Sequence, residues 1–382
     1  MTLSRRALLR TGTASIVVVG GAAGWFSTRV SQSAREPWQQ AAEGFGDPRL
    51  DALAFAILAP NPHNMQPWQI VLTGDDSFTL YARSDRLLPE TDPPARQITI
   101  GLGCFLELLR QAAAERGYRA AVDLFPEGEP QPTLDSRPIA HIRLEPDAAV
   151  DREPLFAYTL TRHTQRAPFD TDKDVPVQSL EDIHAAATAT VSVGFNSEAA
   201  QRSALRDLTR EAWITEWHNA ATRSETVQVT RIGKAEVSEK PWGITLDGVL
   251  MSTLGSLGIV SRQSIDTPGK TSFEESLRMY NQACDTAMAH VWMSTSTNTR
   301  RDQLNAGASW VRMHQAAARG GLAFHPLSQA LQEFPAMADH YAAAHALLAP
   351  PGHTLQLLAR LGYSSNPGPS PREPLTAKLL AV

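Results

Sequence analysis

A loop rich in proline and amide side chains is the most informative segment of this 382-residue chain. It runs from Ala59 to Trp68. Prolines fix φ and lack an N–H donor, so the loop is predicted to be neither helix interior nor central strand. Its hydrogen-bonding residues are Asn61, His63, Asn64 and Gln66. A stiff cluster of this kind suits a planar, hydrogen-bonding ligand. On geometry alone, a helix-terminating turn whose Asn residues cap backbone groups is the simpler interpretation.

Cationic and hydroxyl side chains occur at regular spacing about a hundred residues further along the chain. Arg162, Thr164 and Arg166 are each two residues apart. Two guanidiniums and a hydroxyl at this spacing can form charge-assisted hydrogen bonds to a phosphate. A solvated basic turn is the alternative, and most clusters of this type are solvated.

Both segments resemble motifs of the nitroreductase family. The loop is similar to Pro-Ser-x-x-Asn-x-Gln-Pro-Trp, and the second segment is similar to Arg-x-Ser-x-Arg-x-Phe. The loop positions that match are Pro60, Asn64, Gln66, Pro67 and Trp68, with Asn61 in the place of the serine. Near the end of the chain, Gly362-Tyr363 and the run Pro369–Leu375 resemble a family ending that reads Gly-Tyr and then Pro-Arg-Arg-Pro-Leu. Glu373 stands where that ending has one of its arginines.

The resemblance implies that the chain binds FMN, with the loop over the flavin and the basic residues on its phosphate. The residues implied to bind the cofactor are Pro60, Asn61, His63, Asn64, Gln66, Arg162, Thr164, Arg166 and Arg372. Because Glu373 is acidic, one phosphate contact of the family is expected to be missing. In the family, the loop and the arginines of one site come from different subunits of a dimer.

The chain also contains an internal repeat with an offset of 204 residues. The aligned positions are Gln111–Ala114 with Gln315–Ala318, Gly103 with Gly307, and Gly117 with Gly321. Each copy is a predicted amphipathic helix that ends at a glycine and is followed by a short apolar strand. A repeat indicates two similar structural units, so we predict two nitroreductase-like halves, residues 45–150 and 151–382.

The loop lies in the first half and the arginines lie in the second. The chain is therefore predicted to be a monomer that acts as an intramolecular pseudo-dimer with one complete FMN site. This arrangement resembles the tandem Acg-type branch of the family. Alternating helices, strands and hairpins predict an α+β fold. The elements predicted to position the site are the helix Pro48–Leu58, the hairpin Gln69–Tyr81, and the helices Arg96–Arg116 and Asp302–Arg319.

Residues 225–271 fit neither copy of the repeat. They carry mixed charge, glycines and an apolar patch at Val249–Val260. Long segments of this kind in compact domains are often functional. A lid over the flavin is one interpretation, and an arm that ties the two halves together is the other.

Residues 1–34 resemble an export signal. Ser4–Arg10 is similar to the twin-arginine pattern, although Ala7 stands where Phe is usual. The following uncharged run, Thr11–Thr28, has 18 residues, which is just the length that can span a bilayer. Its low apolar content favours a signal segment, and Ser31–Ser33 offers small residues for cleavage. The chain is therefore expected to be exported by the twin-arginine translocase, to the periplasm or as a membrane-anchored protein facing outside the cytoplasm.

Charge and motifs disfavour other classes of function. Without the arginines of residues 1–34, 31 basic and 40 acidic residues remain, a net charge of −9. An acidic surface disfavours nucleic acid as a partner. The sequence contains no His-Glu-x-x-His zinc motif, and no metal site is predicted.

The resemblance implies hydride or electron transfer through flavin N5 to a small nitroaromatic- or quinone-like acceptor. The sequence does not identify the electron donor. The flavin carries this chemistry itself, so no catalytic acid or base is assigned. A protein that stores or sequesters FMN without turnover is the alternative.

Overall fold

The computed structural model describes residues 33–380, and the twin-arginine pattern and the uncharged run lie outside the described residues. The described chain mixes helices and strands, which confirms the predicted α+β class. The α-helices are α1 (Glu36–Glu43), α2 (Pro48–Ala56), α3 (Arg96–Glu115), α4 (Val177–Ala186), α5 (Ala199–His218), α6 (Ala220–Gln228), α7 (Gly233–Glu239), α8 (Val249–Ser256), α9 (Arg262–Asp266), α10 (Thr271–Asp285), α11 (Arg300–Arg319) and α12 (Ala338–Leu348). The strands are β1 (Trp68–Leu72), β2 (Ser77–Ala82), β3 (Tyr118–Leu124), β4 (Ala140–Pro146), β5 (Ser192–Asn196), β6 (Thr230–Ile232), β7 (Ile244–Leu246), β8 (Ala289–Thr295), β9 (Ala323–Pro326), β10 (Thr354–Gly362) and β11 (Leu379–Leu380).

The first half positions the proline-rich loop between a capped helix and a hairpin. Helix α2 starts at Pro48, and the side chain of Asp47 accepts the Arg49 N–H at 2.9 Å as an N-cap. The helix ends at Ala56, and the proline-rich loop follows it. Strands β1 and β2 then form the predicted hairpin, in which Trp68 pairs with Ala82.

The two halves have the same strand order. The first sheet runs β11-β1-β2-β4-β3 and the second runs β5-β8-β10-β9. The order β1-β2-β4-β3 is thus repeated as β5-β8-β10-β9, and the long helices α3 and α11 follow the equivalent strands β2 and β8. The common topology agrees with the internal repeat.

Helices α3 and α11, which carry the repeated sequence, cross each other at close range. A Cβ atom on Gly103 would lie 2.1 Å from the Leu304 carbonyl oxygen, and one on Gly307 would lie 2.0 Å from that of Ile100. Further along, Gln111 and Gln315 hydrogen-bond to each other through their side-chain amides, at 3.2 and 2.8 Å. Repeat-equivalent residues therefore meet across the helix pair. Buried side chains of both helices belong to one apolar core shared by the two halves.

The second half contains a long segment that the first half lacks. In the first half β1 and β2 are joined by a turn at residues 73–76, whereas residues 197–288 lie between the equivalent strands β5 and β8. The extra segment is therefore longer than the predicted range 225–271, because it also includes α5 and α10. It has a core of its own, in which Trp213 stacks on Trp217 and on Tyr280 at ring distances of 4.9 and 4.3 Å.

The C-terminal arm crosses from the second half to the first. Its strand β11 pairs in parallel with β1, with Leu379 opposite Ile70. The arm therefore brings Arg372 and its neighbours to the proline-rich loop. Between residues 33 and 380, no helix combines the length and apolar character needed to cross a bilayer.

Candidate functional site

The backbone of the proline-rich loop is held in an uncommon conformation. His63, Asn64 and Gln66 have φ angles of 47°, 54° and 51°. Left-handed backbone at non-glycine residues persists only where surrounding contacts impose it, and such residues cluster at functional sites. Part of that support is local, because the Asn61 side-chain oxygen accepts the Gln66 N–H at 2.8 Å.

The amides of the loop bind the C-terminal arm and the extra segment. The buried Gln66 donates to the Pro241 carbonyl at 2.8 Å and accepts the Glu373 N–H at 2.9 Å. Asn64 donates to the Pro371 carbonyl at 3.1 Å and accepts from Arg372 at 2.7 Å. These two residues, predicted to bind the cofactor, therefore also join three separate parts of the chain.

Glu373 lies beneath the loop between two cations. It forms ion pairs with Arg86, at 3.0 Å, and with Lys378. Arg86 donates to the Met65 carbonyl at 3.1 Å, and Lys378 donates to the Gln66 carbonyl at 3.0 Å. Burial alone would raise the pKa of Glu373, but Lys378 and Arg86 outweigh it and the pKa is lowered. Sequence reasoning missed both cations, because their contacts with the loop arise only in the tertiary fold.

Arg162 and Arg372 are both buried at the C-terminal end of α2. Each donates to the Leu58 carbonyl at 3.0 Å. Arg372 also donates to the carbonyls of Ile57 at 3.0 Å and Ala59 at 3.1 Å. These carbonyls follow the last helical residue and have no helical partner, and the C-terminus of a helix carries partial negative charge, so two guanidiniums are favourable there.

The two guanidiniums carry positive charge that no described carboxylate neutralises. Within residues 33–380, neither Arg162 nor Arg372 forms an ion pair with an acidic side chain. Burial lowers the pKa of Arg162 to about 10, and burial together with Arg162 lowers that of Arg372 to about 9. Both remain protonated at neutral pH. The buried Nε of Arg162 has no hydrogen-bond partner. An anion is the group that such an arrangement accepts.

Thr164 and Arg166 lie on the surface, unlike Arg162. The backbone of Thr164 forms an isolated parallel bridge with Phe324, and Arg166 donates to the Thr245 carbonyl at 3.0 Å. The three side chains of the motif therefore differ in exposure, with Arg162 buried and the other two accessible to solvent. Arg166 extends from the second half towards the extra segment.

Arg360 is fully buried on β10 and contacts the segment that follows Arg166. It donates to the Ala167 carbonyl at 2.8 Å and to Nδ1 of His325 at 2.9 Å. Its guanidinium also lies 3.8 Å from the centre of the Phe169 ring. The sequence motifs assign Arg360 no role.

The pKa values of His63 and His163 reflect burial and the positive charge of nearby arginines. Burial and Arg166 lower the pKa of His63 to about 4, and burial with Arg162 and Arg372 lowers that of His163 to about 4. The buried Nδ1 atoms of both rings lack hydrogen-bond partners. Both rings are therefore neutral at pH 7 and can donate or accept a hydrogen bond towards a ligand.

In the absence of a bound anion, the protein is expected to lose stability as the pH falls from 6.5 to about 4. The folded pKa values of His63 and His163 lie near 4, below the usual 6.5, so the unfolded chain binds more protons in that window. Replacing His163→Gln should reduce the slope of unfolding free energy against pH by up to about 1.4 kcal/mol per pH unit. Urea titrations at several pH values measure this slope.

The exposed His184 on α4 supplies the control, His184→Gln. An unchanged slope in His163→Gln would show that this ring does not resist protonation. A dianionic ligand should raise both histidine pKa values, which NMR titration of the imidazole protons would detect.

Curated relatives were found only over part of the chain. It is 34% identical over 128 residues to an uncharacterized protein of Mycobacterium tuberculosis, covering 32% of this chain and 35% of that protein. It is 29% identical over 202 residues to the putative NAD(P)H nitroreductase acg of the same organism, covering 50% of this chain and 59% of that one. The matches thus span about a third to three-fifths of these relatives' length. No protein-family model matches the chain.

Solved structures are similar to the chain at low TM-scores and low sequence identity. The FMN-dependent nitroreductase NfnB of Mycobacterium smegmatis, in complex with NADPH, is 17% identical with a TM-score of 0.36, covering 59% of this chain and 96% of that one. A nitroreductase with bound FMN from Bacteroides fragilis is 13% identical with a TM-score of 0.34, covering 56% and 91%. Over half its length, the chain is thus similar in sequence to a protein described as a putative NAD(P)H nitroreductase.

Proposed function

We propose that this chain is an FMN-dependent oxidoreductase of the nitroreductase type. The observation that carries the proposal is the buried pair Arg162 and Arg372, whose charge is not neutralised by any described carboxylate. The pair lies where the amide-rich loop of one half meets the arginine segment of the other. The sequence similarity to a putative nitroreductase supports the same conclusion.

The residues present fit FMN through their chemistry. The guanidiniums of Arg162 and Arg166 and the hydroxyl of Thr164 are donors suited to a phosphate. The unpartnered nitrogens of His63 and His163 can meet polar atoms of the ligand. Arg372 is already bonded to protein oxygens, so it contributes charge more readily than new hydrogen bonds. Pro60 and Asn61 lie on the same loop.

When bound, FMN would supply hydride or electron transfer through N5 to a nitroaromatic- or quinone-like acceptor. The chain's own contribution is to bind and orient the cofactor. Arg360 fixes the backbone beside Arg166, and the Glu373 ion pairs fix the loop. The donor of electrons stays unidentified.

A protein that sequesters FMN without turnover is the second candidate, and the extra segment favours it. The Asn64 carbonyl accepts the Gly243 N–H at 3.0 Å, and Gln66 binds the Pro241 carbonyl. Residues 241–245 therefore lie directly on the loop, as a cover would, whereas the predicted lid core Val249–Val260 comes after them. A steady-state assay with NADH, NADPH or a chemical reductant and a nitroarene or quinone separates turnover from storage.

Export by the twin-arginine translocase remains part of the proposal. Its support is the sequence pattern of residues 1–34 alone. We propose that the folded protein carries its cofactor across the membrane and acts in the periplasm or anchored outside the cytoplasm.

Arg166→Ala is expected to weaken FMN binding about tenfold or more, because a charge-assisted hydrogen bond contributes about 1.5–3 kcal/mol. Riboflavin lacks the phosphate, so it should bind the wild type poorly and lose little further in the variant. Fluorescence titration of both flavins measures the two affinities.

The control is Arg301→Ala, since Arg301 is also exposed and donates to a carbonyl, that of Leu124 at 2.8 Å; it additionally pairs with Glu129 at 3.6 Å. Equal losses for FMN and riboflavin would show that Arg166 does not contact the phosphate.

The amount of flavin released on denaturation should be near one FMN per chain, and a ratio near two would contradict the single site.

A further inference from the structure

The surface of the extra segment carries a concentrated apolar patch, which we call the α8 ridge (Val249–Val260). No residue of α8 is buried. Its large exposed side chains are Val249 (55%), Leu250 (67%), Leu257 (64%) and Ile259 (58%). They make up four of the nine large hydrophobic residues that are exposed within residues 33–380. Residues 248–261 contain no charged side chain. Clustered exposure of this kind marks an interaction surface.

Small and polar residues form the main contacts of the ridge with the rest of the protein. A Cβ atom on Gly255 would lie 2.8 Å from the Ile232 side chain, and Ser252 accepts the Lys234 N–H at 3.2 Å. Val249, Leu250, Leu257 and Ile259 face outward, whereas Met251, Leu254 and Val260 are partly buried. A surface helix of a soluble protein normally buries its apolar side, so this helix is built to meet an apolar partner outside the chain.

The N-terminal part of the chain lies beside the ridge. Arg35 forms an ion pair with Asp247 at 2.5 Å, and Asp247 is two residues before α8. The uncharged run Thr11–Thr28 ends five residues before Ser33, the first described residue. Five residues span at most about 18 Å. A bilayer that receives this run would therefore lie within reach of the ridge.

We propose that the α8 ridge docks onto a lipid bilayer surface, in the same membrane that holds the uncharged run Thr11–Thr28. The absence of charge between residues 248 and 261 removes the main cost of placing the ridge among lipid chains. The Arg35–Asp247 ion pair places Arg35 and the ridge on the same side of the molecule. This proposal depends on the outward apolar side chains and not on the cofactor.

The test uses the full chain reconstituted in phosphatidylethanolamine–phosphatidylglycerol vesicles. A fluorophore sensitive to polarity is attached to Val249→Cys or Leu257→Cys, and to Val177→Cys as control. Val177 is as exposed as Val249, at 55%, but lies on α4 of the second half. The native Cys104 and Cys284 are buried, so labelling is selective. The ridge labels should shift to the blue and show a several-fold lower quenching constant with aqueous iodide than the control label.

A second variant separates docking from anchoring. Leu250→Glu with Leu257→Glu should restore quenching of the label at Val249→Cys while the chain still floats with the vesicles. Equal quenching at ridge and control positions would overturn the proposal, as would failure of the full chain to float. Protection of the ridge labels without vesicles would also overturn it, because the ridge would then be covered by protein.

Discussion

Gly307→Ala is expected to lower the free energy of unfolding by about 1–3 kcal/mol, which is the usual cost of adding a methyl group to a filled core. The new Cβ would lie 2.0 Å from the Ile100 carbonyl oxygen and 2.7 Å from the Cys104 nitrogen. These are backbone atoms of a long helix, so no side chain can turn away to make room. Helices α3 and α11 must move apart along their contact. Denaturant unfolding followed by circular dichroism measures the change.

The end of the same helix supplies the control, Gly320→Ala. There a Cβ atom would meet its nearest neighbour, the Ala317 carbonyl oxygen, at 3.5 Å, which is ordinary contact. This variant should be neutral or slightly stabilising, since alanine has the higher helix propensity. Gly103→Ala should resemble Gly307→Ala, because the same contact is approached from the other helix. Wild-type stability in both Gly307→Ala and Gly103→Ala would contradict close packing between helices α3 and α11.

The fold was predictable from the sequence where periodicity and local signals suffice. The helix predicted at Arg96–Arg116 is Arg96–Glu115, and the hairpin at Gln69–Tyr81 is present as predicted. The offset of 204 residues correctly paired Gly103 with Gly307, because a helix crossing this close tolerates only glycine and so leaves a mark in the sequence.

The extra segment and the C-terminal arm were less predictable from the sequence. Strands β6 and β7 have three residues each, too few for an alternating pattern to be recognised. Helix α5 follows β5 directly and has an ordinary amphipathic pattern, so nothing local marks it as part of the extra segment. The pairing of β11 with β1 joins residues more than 300 positions apart, which propensity does not predict.

The candidate site was likewise only partly predictable from the sequence. The sequence shows which residues are cations, but not which oxygens they meet. The end of α2 at Ala56 leaves the carbonyls of Ile57 and Leu58 without helical partners, and that explains why Arg372 lies there. The pairing of Glu373 with Arg86 and Lys378 likewise depends on the tertiary fold.

Arg372→Ala is expected to cost roughly 3 kcal/mol of stability, because each buried acceptor left unpaired costs about 1–3 kcal/mol and relief of a buried charge offsets part of the loss. The carbonyls of Ile57 and Ala59 and the side-chain oxygen of Asn64 would each lose a donor, although Ala59 keeps a bond from the Asn61 side chain at 3.0 Å. Leu58 keeps its bond from Arg162. Denaturant unfolding in the absence of flavin measures the loss.

Arg166→Ala provides the contrast that separates structural support from ligand binding. Arg166 is exposed and makes a single described hydrogen bond, so its loss should change stability by no more than about 0.5 kcal/mol while reducing FMN affinity. Arg372→Ala should show the opposite pattern, with a large loss of stability even when no flavin is present. If Arg372→Ala instead kept wild-type stability and lost only FMN binding, its bonds to the end of α2 would be incidental and its main role would be that of a phosphate ligand. The two variants therefore assign the buried and the exposed arginine of one site to different tasks.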